Sequence, residues 1–225
     1  MLVLYTPEAK FAGVERTSSQ METEIIAAYQ QANDGLAASG VRFTIRVVHV
    51  EQVAYDGGDG PDASYDVLVD LSNNDNFSSD VHATRERYGA DLVQLVGLYD
   101  DVCGIGFTMD VPTTGFDMYG FSLVSANCLS NLSHIHEVGH NLGAHHDREN
   151  ALSVNNYGYA YRKCDGDKPF RTIMAYETGC SAAPRVNVFS TPFKMYDGRT
   201  QGTDEANNVR VLNEATDTIV NFRHR

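Results

Sequence analysis

Basic residues are scarce in this 225-residue chain: 17 Lys and Arg stand against 30 Asp and Glu, a formal net charge of -13. A chain this acidic repels phosphate backbones and anionic headgroups, so neither nucleic acid nor a membrane is expected as a partner. Long apolar runs are missing too, and none approaches the roughly 18 to 20 residues that cross a bilayer. The start, Met1-Leu2-Val3-Leu4-Tyr5 and then Thr6-Pro7-Glu8, has neither the basic flank nor the small-residue cleavage site of a signal peptide. With 6 Pro and 19 Gly the composition excludes a disordered or collagen-like polymer. Internal repeats, low-complexity tracts and linkers are also lacking, and the length suffices to bury a sizeable core. The length excludes a miniprotein held by disulfides alone, and the four cysteines, Cys103, Cys128, Cys164 and Cys180, are an even number at loop-like positions, which leans toward an oxidising compartment. By count, disulfides and buried thiols are equally open.

What is present alternates between strand and helix signals. Leu2 to Tyr5 reads as a strand closed by Pro7. From Thr17 or Ser18, which can cap a helix, the apolar positions Met21, Ile25, Tyr29, Ala32 and Leu36 recur at steps of three and four until Gly40. Residues 41–50 are β-branched with Phe43, Ile45 and Val47 alternating, which predicts a second strand. A turn-rich stretch, residues 56–61, precedes a short helix over 63–71. Residues 77–88 predict a helix stopped by Gly89, and 92–98 a buried central strand. Residues 103–114 read as Gly-rich and irregular, and 121–124 as a short edge strand. A helix is expected to start near Ser130 and a terminal one to run over 204–222. The order predicts an α/β (α+β) chain, a mixed twisted sheet with helices packed against it.

Five of eight histidines fall in His134-Ile135-His136-Glu137-Val138-Gly139-His140-Asn141-Leu142-Gly143-Ala144-His145-His146-Asp147. His136 and His140 are four apart, so on a helix both imidazoles leave the same face one turn apart, half of a zinc site. Glu137 can reach a water on the metal without ligating it, the position a general base requires. Gly143 can take the left-handed conformation of a sharp helix exit. The returning chain can then bring His146 as a third ligand, with the fourth position open, which is the pattern of catalytic rather than structural zinc. Requiring Gly143 and His146 besides His-Glu-x-x-His makes a chance match about 400-fold rarer on uniform residue frequencies. His134 and His145 fall outside the pattern.

The run His136-Glu137-x-x-His140-x-x-Gly143-x-x-His146 resembles the zinc signature of the metzincin metalloendopeptidases, which also carry a methionine turn beneath the metal. Thr172-Ile173-Met174-Ala175-Tyr176 lies at a suitable distance downstream and supplies Met174. Asp147 after the third histidine is similar to the reprolysin branch. Tyr176 departs from it, since Met-x-Tyr resembles astacins and serralysins, in which the tyrosine reaches the zinc or the developing oxyanion. The wider pattern, with Tyr88-Gly89-Ala90-Asp91-Leu92-Val93 and the Asn207-Asn208 to Phe222-Arg223 end, resembles the bacterial peptidyl-aspartate metalloendopeptidases across most of the chain. That resemblance implies one catalytic domain, residues 1–225. Its upper lobe is about 1–142, and its lower lobe, about 143–225, is smaller, mostly irregular and ends in a helix. It further implies protein or peptide substrates, a monomer, and a mature secreted enzyme whose signal and pro-segment are gone.

The acidity is local to one lobe. Residues 1–142 carry a net -14 and residues 143–225 a net +1. In metzincins the pocket for the residue after the cleaved bond lies in the lower lobe, where an acidic side chain would want a guanidinium. Arg185, just beyond the methionine turn, is the expected substrate-binding residue, with Arg171, just before it, as the other candidate. Cleavage on the amino side of Asp follows. Of the three connectivities open to four cysteines, Cys103 with Cys128 and Cys164 with Cys180 is expected, each pair bracketing a loop beside the cleft. Calcium is a second candidate cofactor through the acidic loop at residues 56–62, which does not match an EF-hand. Two other readings compete: a catalytically silent binding or adhesion module on the same fold, against which the intact Glu137 argues, and a metal-dependent hydrolase of non-peptide substrates.

Overall fold

The computed structural model describes residues 1–57, 63–152 and 156–223. The expected calcium loop falls largely on residues 58–62, outside the described residues. Strand β1 (Leu2–Tyr5) leads to helix α1 (Ser18–Ser39), then β2 (His49–Gln52), α2 (Ala63–Asn73), α3 (Val81–Tyr88), β3 (Val93–Gly97), β4 (Gly104–Gly106) and β5 (Phe121–Ser125). They form a five-stranded sheet in the order β2-β1-β3-β5-β4, parallel except for β4, which runs antiparallel to β5 at the edge. The expected mixed sheet with packed helices is what the chain builds.

Local chemistry sets most of these boundaries. Thr17 and Gln20 form a reciprocal capping box at the start of α1, and Gly40, at φ 86°, ends it. Met21, Ile25, Tyr29, Ala32 and Leu36 are all buried. Along β1 and β3 alternate residues go to opposite faces. Val3, Tyr5 and Val96 meet α1 on one side, while Leu2, Leu4, Val93 and Leu95 meet α2 on the other.

Four expectations are corrected. Residues 41–48 are not strand: the Asn33 side chain on α1 takes both the N–H and the carbonyl of Ile45, so these groups need no sheet neighbour. Phe43, Ile45 and Val47 still pack against the core. Helix α3 starts at Val81, capped by Asp80, because Asn74 and Asn76 sit at positive φ in the preceding turn and Phe77 pairs with Tyr55. Strand β5 is interior, not an edge; the edge is β4, inside the stretch read as irregular. The helix expected near Ser130 is α4 (Ser133–Asn141), its start set three residues later by a 3-10 turn over Ala126–Asn131.

Beyond α4 come two small hairpins, β6 (Arg162–Lys163) with β7 (Phe170–Arg171) and β8 (Met195–Tyr196) with β9 (Arg199–Thr200), and then α5 (Asn208–Ile219). Asn207 caps α5, shorter at both ends than the 204–222 expected. Its Val209, Leu212, Ala215 and Ile219 join the same apolar cluster as Ile135 and Val138 of α4. Helix α4 is therefore clamped between sheet and C-terminal segment.

Candidate active site

All nine residues of α4 are buried, although the helix carries three histidines, His134, His136 and His140, and Glu137. Burying such groups costs free energy unless they are partnered. His136 and His140 face the same side, their ring centroids 5.0 Å apart. The helix stops where Gly143 takes φ 86°, and a Cβ there would come within 2.9 Å of the Met109 carbonyl oxygen. The reversed chain returns His146, whose Nε2 lies 3.0 Å from Nε2 of His136 and 3.0 Å from Nε2 of His140. These three form a candidate metal cluster among the described residues.

The far side of each ring decides what points inward. Nδ1 of His136 lies 3.0 Å from the Ile173 carbonyl, and Nδ1 of His140 lies 2.9 Å from the Ala144 carbonyl. A carbonyl only accepts, so each Nδ1 holds the proton and each Nε2 turns a lone pair to the centre. Burial pushes all three imidazoles toward the neutral form, His140 to about 3. Neutral lone pairs at this spacing repel one another unless a cation stands among them. The separation is also near the roughly 3.3 Å between two nitrogens of a tetrahedral zinc site. The donor set fits that ion.

Glu137 borders a cleft of about 410 Å³ with His140, His146 and Tyr176. Burial lifts its carboxyl to about 8, and the only opposing influence is the positive charge of Arg185. Across the cleft, strand β4 approaches closely. A Cβ on Gly104 would stand 2.6 Å from Glu137 Cγ and 2.8 Å from its Oε1, and one on Gly106 would stand 3.0 Å from the Glu137 carbonyl oxygen. Sequence reasoning missed these glycines; the signal was their i, i+2 spacing, which on a strand clears one face. It also missed Gly139, where a Cβ would meet Met174 Sδ at 2.6 Å. Met174 is fully buried under the helix, the place expected of it.

Asp147 ties the third histidine to the methionine turn. Its Oδ2 accepts the Tyr176 N–H at 3.0 Å, Asn150 Nδ2 donates to both oxygens at 2.8 and 3.0 Å, and Arg162 Nε lies 3.3 Å from Oδ1. Tyr176 follows, its ring centroid 4.1 Å from that of His146. Burial first, and then the nearby Glu137, raises the pKa of its phenol.

The two candidate arginines separate. Arg171 is consumed by its own chain: Nε donates to the Ala183 carbonyl, Nη1 to the Ala175 carbonyl, and Nη2 pairs with Glu177 at 3.3 Å. Among the described residues Arg185 donates only through Nη1, to the Asn131 carbonyl at 3.1 Å and Ser133 Oγ at 3.4 Å, and its buried Nε has no partner. Burial and the charge of Arg171 lower it to about 10, while Glu137 and Tyr176 act against that shift. Arg185 is therefore in the electrostatic field of the histidine site with donors to spare. The expected bridges, Cys103–Cys128 and Cys164–Cys180, are both formed, with Cα separations of 5.5 and 5.0 Å.

Comparison with known proteins agrees with this geometry. The chain is 29% identical over 219 residues to a peptidyl-Asp metalloendopeptidase of Stenotrophomonas maltophilia, covering 94% of this chain and 50% of that protein. Proteins of the same name from Xanthomonas campestris and Pseudomonas aeruginosa are also 29% identical, covering 99% of this chain and 51% and 40% of theirs. The chain thus spans about half the length of the curated relatives it matches. One solved structure, described as a chaperone-substrate complex, matches all of this chain and 35% of its own, with a TM-score of 0.72 at 22% identity, a likeness of fold. The Reprolysin_5 profile matches residues 6–190, a span that takes in every strand of the sheet except β1, the three histidines, Met174 and Arg185, and the chain belongs to metallo-peptidase family M12.

Proposed function

We propose that this chain is the catalytic unit of a zinc-dependent endopeptidase that cuts proteins or peptides on the amino side of aspartate. The observation that carries the reading is the convergence of Nε2 of His136, His140 and His146 beside a buried Glu137 on an open cleft. Residues 1–142 and 143–225 act as upper and lower lobes of one catalytic domain, monomeric and exported, which suits its two disulfides.

His136, His140 and His146 would hold the ion. Bound zinc supplies Lewis acidity toward a peptide carbonyl and brings a coordinated water toward ionisation near neutral pH. The positive charge of an ion held there would offset the burial that lifts the Glu137 carboxyl and favour its ionised form; Glu137 then takes a proton from the attacking water on a carboxylate oxygen and passes it to the leaving amine nitrogen, the double duty of a general base and acid. Tyr176, which borders the cleft, offers its phenolic O–H to the oxygen that gains charge as the carbonyl carbon becomes tetrahedral. Asp147 and Met174 act on these groups from behind, one through the Tyr176 backbone and the other under the helix. Arg185 takes the aspartate side chain of the substrate; its unspent donors and the names of the relatives support that role.

Activity, metal content and cleavage-site mapping test the reading. Wild-type protein should cleave an unstructured protein, lose that activity to a chelator and regain it with zinc. Glu137→Gln should keep one equivalent of zinc and lose about 10³-fold or more in kcat; a variant that holds zinc and stays active removes Glu137 from the chemistry. Mapping the cleaved bonds should give Asp after the cut, and Arg185→Ala should erase that preference while apolar sites are still cut. A wild-type profile dominated by apolar residues defeats the specificity assignment.

A further inference from the structure

Glu137 has no hydrogen-bond partner to fix its carboxylate among the described residues, yet the role proposed for it demands a fixed position. What surrounds it is backbone. Strand β4 is held at both ends. Cys103, immediately before it, is bonded to Cys128, and the Cys103 carbonyl accepts the Ser125 N–H at 2.8 Å. Just after it the Met109 N–H donates to the His140 carbonyl at 3.1 Å. Between these anchors Gly104 presents a bare Cα toward the Glu137 side chain. A Cβ there would sit 2.6 Å from Cγ and 2.8 Å from Oε1, both well inside van der Waals contact. Cγ is joined through Cβ to the rigid helix backbone, so it can move far only by rotation about Cα–Cβ, which turns the whole side chain to another rotamer.

The geometry points to Gly104 as a positioning residue: the missing side chain at 104 selects the rotamer of Glu137 that faces the three histidines, and any larger residue turns the carboxylate away. The inference rests on the peptidase reading and deepens it. It makes the edge strand a wall whose shape sets where a proton is received, and it predicts an effect on turnover rather than on substrate binding.

A double-mutant cycle on the whole zinc-loaded and zinc-free protein tests it. Gly104→Ala should melt about 3–8 °C below wild type, the usual scale of overpacking in a chain of this length. In a Glu137→Ala background, where the clashing atoms are gone, the same change should cost less than half as much. Kinetically, Gly104→Ala should retain its zinc and lose about 10²-fold in kcat with KM within about twofold, the price of a base displaced by about an ångström. A Cβ at 104 would also approach the Leu123 carbonyl oxygen at 2.9 Å, a contact that does not involve Glu137. Equal melting losses in both backgrounds would assign the glycine to that contact and overturn the proposal, as would a raised KM with kcat unchanged. Absence of chelator-sensitive peptidase activity in the wild-type protein would overturn the proposed function and the positioning role with it. Uncoupled melting overturns the positioning role alone.

Discussion

Replacing Asp147 by alanine should cut the tie between the third histidine and the methionine turn. The carboxylate is 3% exposed, and its partner Arg162 has a side chain 9% exposed. Removing one member of a buried ion pair typically costs about 3–5 kcal/mol, because the remaining charge is stranded in apolar surroundings. Arg162 keeps two other contacts, to Glu149 and to the Thr178 carbonyl, so the lower end, about 3 kcal/mol, is expected. For a chain of this length each kcal/mol moves the midpoint by about 2–4 °C, giving a fall of about 6–12 °C. Asp147→Asn keeps the shape and one accepting oxygen but loses the charge, and should cost about 1.5 kcal/mol. Thermal melting of the two variants with disulfides intact measures both numbers. Turnover should fall in Asp147→Ala at temperatures where it remains folded, since the Tyr176 N–H loses its acceptor, and fall less in Asp147→Asn, which keeps one oxygen to accept it. A midpoint for Asp147→Ala within about 1 °C of wild type would refute the reasoning.

Arg171 and Arg185 should part company on substitution. Arg171→Ala should lower the melting midpoint, because the Ala183 and Ala175 carbonyls lose their donor, and leave the order of preferred cleavage sites unchanged when the sites are mapped. Opening the 103–128 bridge by paired serine substitution should cost about 3 kcal/mol on the chain-entropy account, read as a lower midpoint. Peptide mapping without reductant should recover both bridged peptides, and four free thiols would contradict the structure.

The periodic parts of the chain were legible because a single stripe decides them. Met21 to Leu36 carries one apolar face and a capped start, and that is all α1 requires. The histidine constellation was legible for a related reason, since the i, i+4 ligands and the Gly143 exit are local geometry. Less legible was anything settled by a distant partner. Ile45 leaves the sheet because Asn33 offers it hydrogen bonds, and nothing around residue 45 announces that. Strand β4 is three residues long with two glycines, too short and too bare to signal a strand, and it exists because β5 and α4 hold it from either side. The difference between Arg171 and Arg185 was also invisible, because it depends on which carbonyls fold back onto each guanidinium.

Helix α4 has nine residues, fewer than an isolated helix needs to persist in water, and every one is enclosed by segments far away in sequence. Its two candidate ligands, His136 and His140, are aimed by carbonyls at 173 and 144, so an unfolded or half-assembled chain has no such site to offer. Zinc bound at these histidines would make metal uptake and the last steps of folding one equilibrium, with free zinc favouring the finished state by mass action. Zinc supply would then govern how much intact protein survives its own quality control, separately from how fast each molecule works.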